Sequence, residues 1–293
     1  MLTGEYFVLD GARALALPTQ LGQHLTVRAK DNSNTLYWKS INDKGEVWFE
    51  TEIDAGLHRA STQNSVSTKL LELLRKARDM NPAFDVSGFE VEIISDFNLQ
   101  WGLGSSSTLV SLIAQWAQVN PYELQFTCFG GSGYDIACAT ADGPIVYERW
   151  PEPLSLCVAF NPSFANQLHF IYLGKKQDSR KGISQYQERS KDRSAVIKSL
   201  NEITEQILKV DDLKRFEQLL EQHEDVISQN LQLKKVKDQF FVDFEGSCKS
   251  LGAWGGDFIL AASQMSAAEV KTYFHSKGFT TIVPYSGMVL VSD

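Results

Sequence analysis

The ten residues Gly102-Leu103-Gly104-Ser105-Ser106-Ser107-Thr108-Leu109-Val110-Ser111 place two glycines and three serines at the entrance to a helical pattern, and those are residue types that hold a phosphate. A helix start leaves backbone N–H groups without partners and carries roughly half a positive charge, so an anion there gains donors and a favourable dipole. Gly102 and Gly104 allow close approach of the backbone, since glycine takes positive φ and presents no Cβ. Ser105, Ser106 and Ser107 add hydroxyls for a phosphate oxygen or a phosphate-bound magnesium. The same residues also suit a solvated loop closed by a serine cap. Downstream, Gly130-Gly131-Ser132-Gly133 turns the chain into Tyr134-Asp135-Ile136-Ala137. Asp135 has the chemistry to take or orient the proton of an acceptor hydroxyl, and it equally stands where an aspartate caps a helix; the sequence leaves both roles open.

Two further stretches concentrate glycine or charge. Gly252-Ala253-Trp254-Gly255-Gly256-Asp257 precedes a strand pattern, and Gly174-Lys175-Lys176-Gln177-Asp178-Ser179-Arg180-Lys181 gathers cations before a long helical pattern. The chain carries 36 acidic against 28 basic residues, a net charge of -8, so an anionic substrate needs a local basic patch of this kind. Arg180 is the first candidate, because its planar fork binds a carboxylate or phosphate at two points, with Lys175 beside it; a solvated lysine-rich turn is the competing reading. The acidic balance speaks against nucleic acid or an anionic membrane as partner. No apolar run approaches the ~20 residues of a membrane span, and no basic segment with an apolar run opens the chain, so a cytoplasmic location is expected. Cys128, Cys138, Cys157 and Cys248 form no Cys-x-x-Cys pair, which fits a reducing compartment and argues against structural zinc. His223 lies on an apolar helical face and reads as a packed residue with one satisfied nitrogen.

The elements that must position these residues follow from periodicity. Strands are expected at Glu5–Asp10, Gly22–Ala29, Thr35–Ser40, Glu46–Glu50, Phe89–Ile94 and Pro144–Trp150, with helices at Ser65–Met80 and Ser105–Val119, the latter stopped by Pro121. After Pro151 come strands Leu156–Phe160 and Leu168–Leu173, helices Ser179–Val210 and Asp212–Asn230, strand Phe258–Ala262, helix Ala267–Lys277, and strands Thr280–Val283 and Met288–Val291. The 293 residues suit two α+β lobes, 1–150 for nucleotide binding and 151–293 for the second.

Three glycine-rich elements, Gly4-Glu5-Tyr6-Phe7-Val8-Leu9-Asp10-Gly11-Ala12, Gly102 to Ser107, and Gly252 to Asp257, resemble in order the three signature motifs of the GHMP small-molecule kinases. Gly131-Ser132-Gly133-Tyr134-Asp135-Ile136-Ala137 and the Gly-Gly-Asp ending at Asp257 look most like the phosphomevalonate and mevalonate kinase branch. The resemblance implies an N-terminal α+β lobe with a left-handed crossover and a C-terminal ferredoxin-like lobe, and ATP-dependent phosphorylation of a small anionic metabolite in isoprenoid precursor synthesis. It implies ATP and Mg2+ as cofactors, with Gly102 to Ser107 on the triphosphate and Ser106 on the magnesium. Asp135 becomes the catalytic acid-base with Glu5 in support, Glu123 is a metal-ligand candidate, and Gly252, Ala253, Gly255, Gly256 and Asp257 form the C-terminal glycine loop. A monomer or homodimer acting on a small molecule is implied, and a metabolite-binding protein of the same fold is the alternative. Two departures stand out. Family members carry a lysine upstream of the Gly-Glu pair where only Met1, Leu2 and Thr3 precede Gly4, and Trp254 takes a position that is usually glycine. No Walker loop or protein-kinase catalytic triplet is present.

Overall fold

The computed structural model describes residues 1–30, 33–175, 183, 184, 186, 192–252, 254 and 257–291. In chain order the elements are β1 (Ala14–Ala16), β2 (Gln23–Ala29), β3 (Thr35–Ile41), β4 (Val47–Asp54), α1 (Ser65–Met80), β5 (Phe89–Ser95), α2 (Ser105–Ala117), α3 (Pro121–Cys128) and α4 (Tyr134–Ala139). There follow β6 (Ile145–Glu148), β7 (Leu154–Cys157), β8 (Leu168–Tyr172), α5 (Ser194–Ile207), α6 (Leu213–Leu231), α7 (Val236–Phe240), β9 (Ser247–Ser250), β10 (Phe258–Ala262), α8 (Ala267–Ser276), β11 (Ile282–Pro284) and α9 (Tyr285–Met288). They divide into two compact units, one of Met1–Gln20, Gln100–Gly102 and Ala141–Asp293, the other of Leu21–Leu99 and Leu103–Thr140.

The second unit is a four-stranded sheet, β2-β5-β3-β4, with helices on one face. Alternation along β3 buries Leu36, Trp38 and Ser40 and leaves Tyr37 and Lys39 on the other face, where Lys39 pairs with Glu92 at 2.6 Å. The covered face meets Leu70, Leu73, Leu74 and Ala77 of α1 and Val110, Ile113, Ala114 and Ala117 of α2 in one apolar core. β3 and β5 run parallel, so the chain must cross over between them, and it does so through β4 and α1. A capping box sets the start of α1: the Ser67 N–H donates to the Asn64 side chain at 2.9 Å and the Asn64 N–H donates to Ser67 Oγ at 3.0 Å, a feature worth about 1 kcal/mol.

The first unit holds two sheets, β1-β6-β7 and β11-β8-β10-β9. In the latter every neighbour is antiparallel, and the strands alternate with helices as β8, then α5, α6 and the short α7, then β9, β10, α8 and β11, which is the ferredoxin-like arrangement with helices added before β9. β10 is buried along its whole length, so its run Phe258-Ile259-Leu260-Ala261-Ala262 is uniformly apolar instead of alternating. Among the described residues no helix is long and apolar enough to cross a membrane.

The division differs from the expected cut at residue 150. β1 pairs with β6 and β6 with β7, so residues 1–20 and 141–150 join the C-terminal part. The Glu5–Asp10 strand is also absent: Gly4 and Tyr6 have φ of +83° and +61°, and Phe7–Asp10 forms a 3-10 turn whose apolar side chains are buried all round, which is why alternation misread it. Pro121 opens α3 instead of merely ending α2, with the Asn120 side chain accepting from the N–H groups of Tyr122 and Glu123. Met288–Val291 is no strand; the helical turn α9 ends at Met288 and Val289 makes only an isolated bridge to Thr19. Of the long helix expected at Ser179–Val210, the structure describes Ser194–Ile207, and its beginning lies largely outside the described residues.

Candidate active site

Gly104, at φ +81°, is the N-cap of α2, and no side chain caps the helix. The N–H groups of Ser105, Ser106 and Ser107 therefore form an open donor cluster at the positive end of a thirteen-residue helix. The Ser106 side chain is exposed and Ser107 is buried, so Ser106 is the hydroxyl presented to solvent. Thr108, one turn in, is used locally: its hydroxyl donates to Gln23 Oε1 at 2.6 Å. Gly102 belongs to the first unit. It has φ +69°, and a Cβ there would stand 2.3 Å from the Asp257 carboxyl carbon, so only glycine fits beside that acid. The open donors and the exposed hydroxyl fit a triphosphate with its magnesium.

Asp135 lies in the first turn of α4, which packs directly on α2, so the second unit brings the serine helix start and the aspartate's helix together. Burial raises its carboxyl above the ordinary aspartate value, and a hydrogen bond from Tyr134 opposes that shift. The turn ahead of it is held from behind. Gln125 Nε2 donates to the Gly130 carbonyl at 3.1 Å, the Gly130 N–H donates to the Gln125 carbonyl at 3.0 Å, and Lys69 Nζ donates to the Cys128 carbonyl at 2.6 Å while lying 4.5 Å over the Phe129 ring. Nothing in local sequence pattern pointed to Gln125 or Lys69. Glu123 stands exposed in the first turn of α3, where any acid complements the helix dipole. Among the described residues no group of three or more His, Cys, Asp or Glu is placed to hold a metal ion.

Glu5 is not at a solvent-accessible site. It is 1% exposed, and Lys249 Nζ donates to its Oε1 at 2.5 Å, to the Ser250 carbonyl at 2.9 Å, and lies 3.6 Å from Glu224 Oε1. His223 closes the cluster: its Nε2 accepts the Gly4 N–H at 3.0 Å and sits 3.3 Å from Glu5 Oε2. That acceptor role places the ring proton on Nδ1, which has no partner, and burial holds the imidazole well below its usual value, with Lys249 adding to the effect. Two buried carboxylates thus share one ammonium beside a neutral histidine. Burial carries Glu224 up to about 7, Glu5 adds to the rise, and Lys249 and the Ser250 N–H oppose it. The structure thus places Glu5 in a buried ion pair with Lys249 and not on a solvent-facing surface.

Below 4.5 both the folded and unfolded chains keep the Glu224 proton; between 4.5 and about 7 only the unfolded chain releases it, so stability falls with rising pH across that window and is level above it. The displacement is on the order of 3 kcal/mol. Glu224→Gln keeps an acceptor for the Ser250 N–H and should be more stable than wild type at pH 8 but not at pH 4.5, as measured by urea midpoints. Equal gains at both pH values would remove Glu224 titration as the cause.

In the C-terminal glycine loop, Gly252 is at φ +62°, and Ala253, Gly255 and Gly256 lie outside the described residues. Trp254, 5% exposed, is buried with Phe7, Leu9, Leu200, Ile227 and Leu231, so its indole serves the core and presents no stacking face. Asp257, at φ +48°, donates its N–H to the Lys175 carbonyl at 2.6 Å, and the Lys175 side chain is exposed. Arg180 lies outside the described residues.

No protein-family model matches the sequence, and no curated protein matches it. Solved structures do. A mevalonate kinase crystal structure aligns with a TM-score of 0.73 at 14% identity over 100% of this chain and 96% of that one. The Streptococcus pneumoniae phosphomevalonate kinase in complex with phosphomevalonate and AMPPNP gives 0.69 at 16% identity, over 97% and 96%. Lactococcus lactis galactokinase complexed with galactose gives 0.66 at 13% identity, over 99% and 92%. The chain has the fold of the GHMP kinases, as the three motifs implied. Both acid-metabolite and sugar kinases share it.

Proposed function

We propose that this protein is an ATP-dependent kinase for a small anionic metabolite, with mevalonate and phosphomevalonate the first substrates to test. The observation that carries the reading is the open, glycine-started N-terminus of α2, with an exposed Ser106, packed on the helix that bears the desolvated Asp135. Phosphoryl transfer asks mainly for charge neutralisation and alignment. The N–H groups of Ser105 to Ser107 would hold the phosphate oxygens, the Ser106 hydroxyl would serve a phosphate-bound magnesium, and the Asp135 carboxylate would orient the acceptor hydroxyl and take its proton. When bound, Mg2+ neutralises charge on the transferring phosphate. The substrate assignment is supported by the Gly-Ser-Gly-Tyr-Asp and Gly-Gly-Asp segments and by the names of the structural neighbours. The basic segment Lys175-Lys176-Gln177-Asp178-Ser179-Arg180-Lys181, with Arg180 as its fork, is proposed for the substrate's anionic end.

The test is ADP formation by the full chain with magnesium-ATP and mevalonate, phosphomevalonate or galactose as acceptor. Turnover of one acid and not the sugar supports the reading; acid binding without turnover by any acceptor points instead to a metabolite-binding protein. Within a positive assay, Ser106→Ala should lower turnover ten-fold or more, on the order of 1.4 kcal/mol in the transition state, at an unchanged melting temperature. Undiminished turnover would remove Ser106 from the magnesium.

A further inference from the structure

The side chain of Gln125, in α3, acts on one short piece of chain. Its Nε2 donates to the Gly130 carbonyl at 3.1 Å, and its own backbone carbonyl accepts the N–H groups of Phe129 at 2.8 Å and Gly130 at 3.0 Å, so one residue holds both polar groups of Gly130. The two backbone bonds, with Gly130 at φ +70°, already close the end of α3 in the left-handed way common to helices. Lys69 holds the Cys128 carbonyl at the same end. The side-chain bond is therefore not needed to finish α3, and it bears on where the chain goes next. Gly131 and Gly133 follow, at φ +90° and +88° on either side of the buried Ser132, and the Gly133 carbonyl accepts the first bonds of α4 from Ile136 at 3.1 Å and Ala137 at 3.2 Å. Glycine at three of the four positions from Gly130 to Gly133 gives this turn little stiffness of its own. Asp135 is carried by the turn, as the second residue of α4.

Packing alone does not ask for a glutamine here. The side chain is 8% exposed and its Oε1 has no partner among the described residues, whereas methionine has much the same length and no polar oxygen to desolvate. What glutamine adds is a neutral N–H donor that reaches the Gly130 carbonyl; an ionised glutamate has no proton to give, and lysine would bury a charge. We propose that Gln125 is a positioning residue for phosphoryl transfer, holding the turn from Gly130 to Gly133 so that the Asp135 carboxylate stands where the acceptor hydroxyl arrives. The proposal rests on the kinase reading above, with Asp135 as its acid-base. Displacing a reacting group by about 1 Å lowers a rate on the order of 100-fold even when the substitution is remote from the chemistry, so a looser turn is felt in the transfer step. Nucleotide binding at the start of α2 is left alone.

Gln125→Met in the full chain tests this. The freed carbonyl belongs to half-buried Gly130 and can turn to water, and the unpartnered Oε1 is gone, so the urea midpoint should equal the wild-type value or exceed it. Turnover should nevertheless fall about 10- to 100-fold, with the Michaelis constant for ATP unchanged. Hydrogen exchange supplies a readout that needs no acceptor: the Ile136 and Ala137 amides, bonded to the Gly133 carbonyl, should exchange faster in the variant, while those of α1 and α2 should not. Wild-type turnover in Gln125→Met, or unchanged exchange at Ile136 and Ala137, overturns the proposal and leaves the kinase reading standing. A variant that unfolds, or loses turnover only in step with its urea midpoint, shows Gln125 to be a stability residue and overturns the proposal as well. If the wild type itself transfers phosphate to none of mevalonate, phosphomevalonate and galactose, the kinase reading fails and takes the proposal with it.

Discussion

An Asp135→Asn variant should bind magnesium-ATP as the wild type does and transfer its phosphoryl group about 100- to 10,000-fold more slowly, the range that a positioned acid-base group contributes. Gly133, not Asp135, is the N-cap of α4 and no side chain caps the helix, so asparagine keeps the shape and costs the helix at most a charge–dipole contribution of about 0.3–1 kcal/mol. It loses the charge and the basicity. If Asp135 served only to complement the start of α4, the variant would match the wild type in rate and lose only a small amount of stability, about 1 kcal/mol or less, and that result would end its catalytic assignment. The pH profile gives an independent reading. Burial lifts this carboxyl above the ordinary aspartate range, so wild-type turnover should rise with pH along a limb displaced upward from 3.8, and the limb should vanish in the variant. A limb that survives the substitution belongs to another group.

How much of this was legible in the sequence depended on the range of the interaction. α1 and β10 fall where periodicity put them, Ser65–Met80 and Phe258–Ala262, because a helix stripe and an apolar run are local signals. The open start of α2 was equally legible, since glycine before serine is all it takes. The Gly4–Glu5 turn was not. Its backbone shape comes from partners far along the chain, His223 on the Gly4 N–H and Lys249 on the Glu5 carboxylate, and a tightly turned apolar segment has the same composition as a strand. His223 itself was read correctly as core, with one nitrogen bonded and the other without a partner. Lys249 and Glu224 gave no sign at all: lysine within a short strand and glutamate in an amphipathic helix are ordinary surface residues until the fold buries them together.

That burial makes Lys249 the position with the largest expected effect on stability. Lys249→Met should destabilise the protein by about 3 to 5 kcal/mol, the cost of stranding an interior charge whose partner is gone. The ammonium satisfies two acceptors, Glu5 at 2.5 Å and the Ser250 carbonyl at 2.9 Å, and lies 3.6 Å from Glu224 as a second ion pair. Methionine fills the space but donates to none, so Glu5 and Glu224 are left to hold two carboxyl groups among neutral neighbours, and both must take up protons to stay inside. The loss should therefore deepen as pH rises, which distinguishes it from a packing defect. A second substitution makes the test sharper. In Glu5→Gln/Lys249→Met no charge is stranded at that pair, and buried ion pairs replaced as a whole by neutral residues are often close to neutral in stability. Urea denaturation of the wild type, both single variants and the double variant at pH 8 should show a coupling that returns most of the loss. If the double variant is as unstable as Lys249→Met alone, the lysine stabilises through its stem packing and its bond to Ser250, and the ion pair with Glu5 is not what holds the first motif's turn in place.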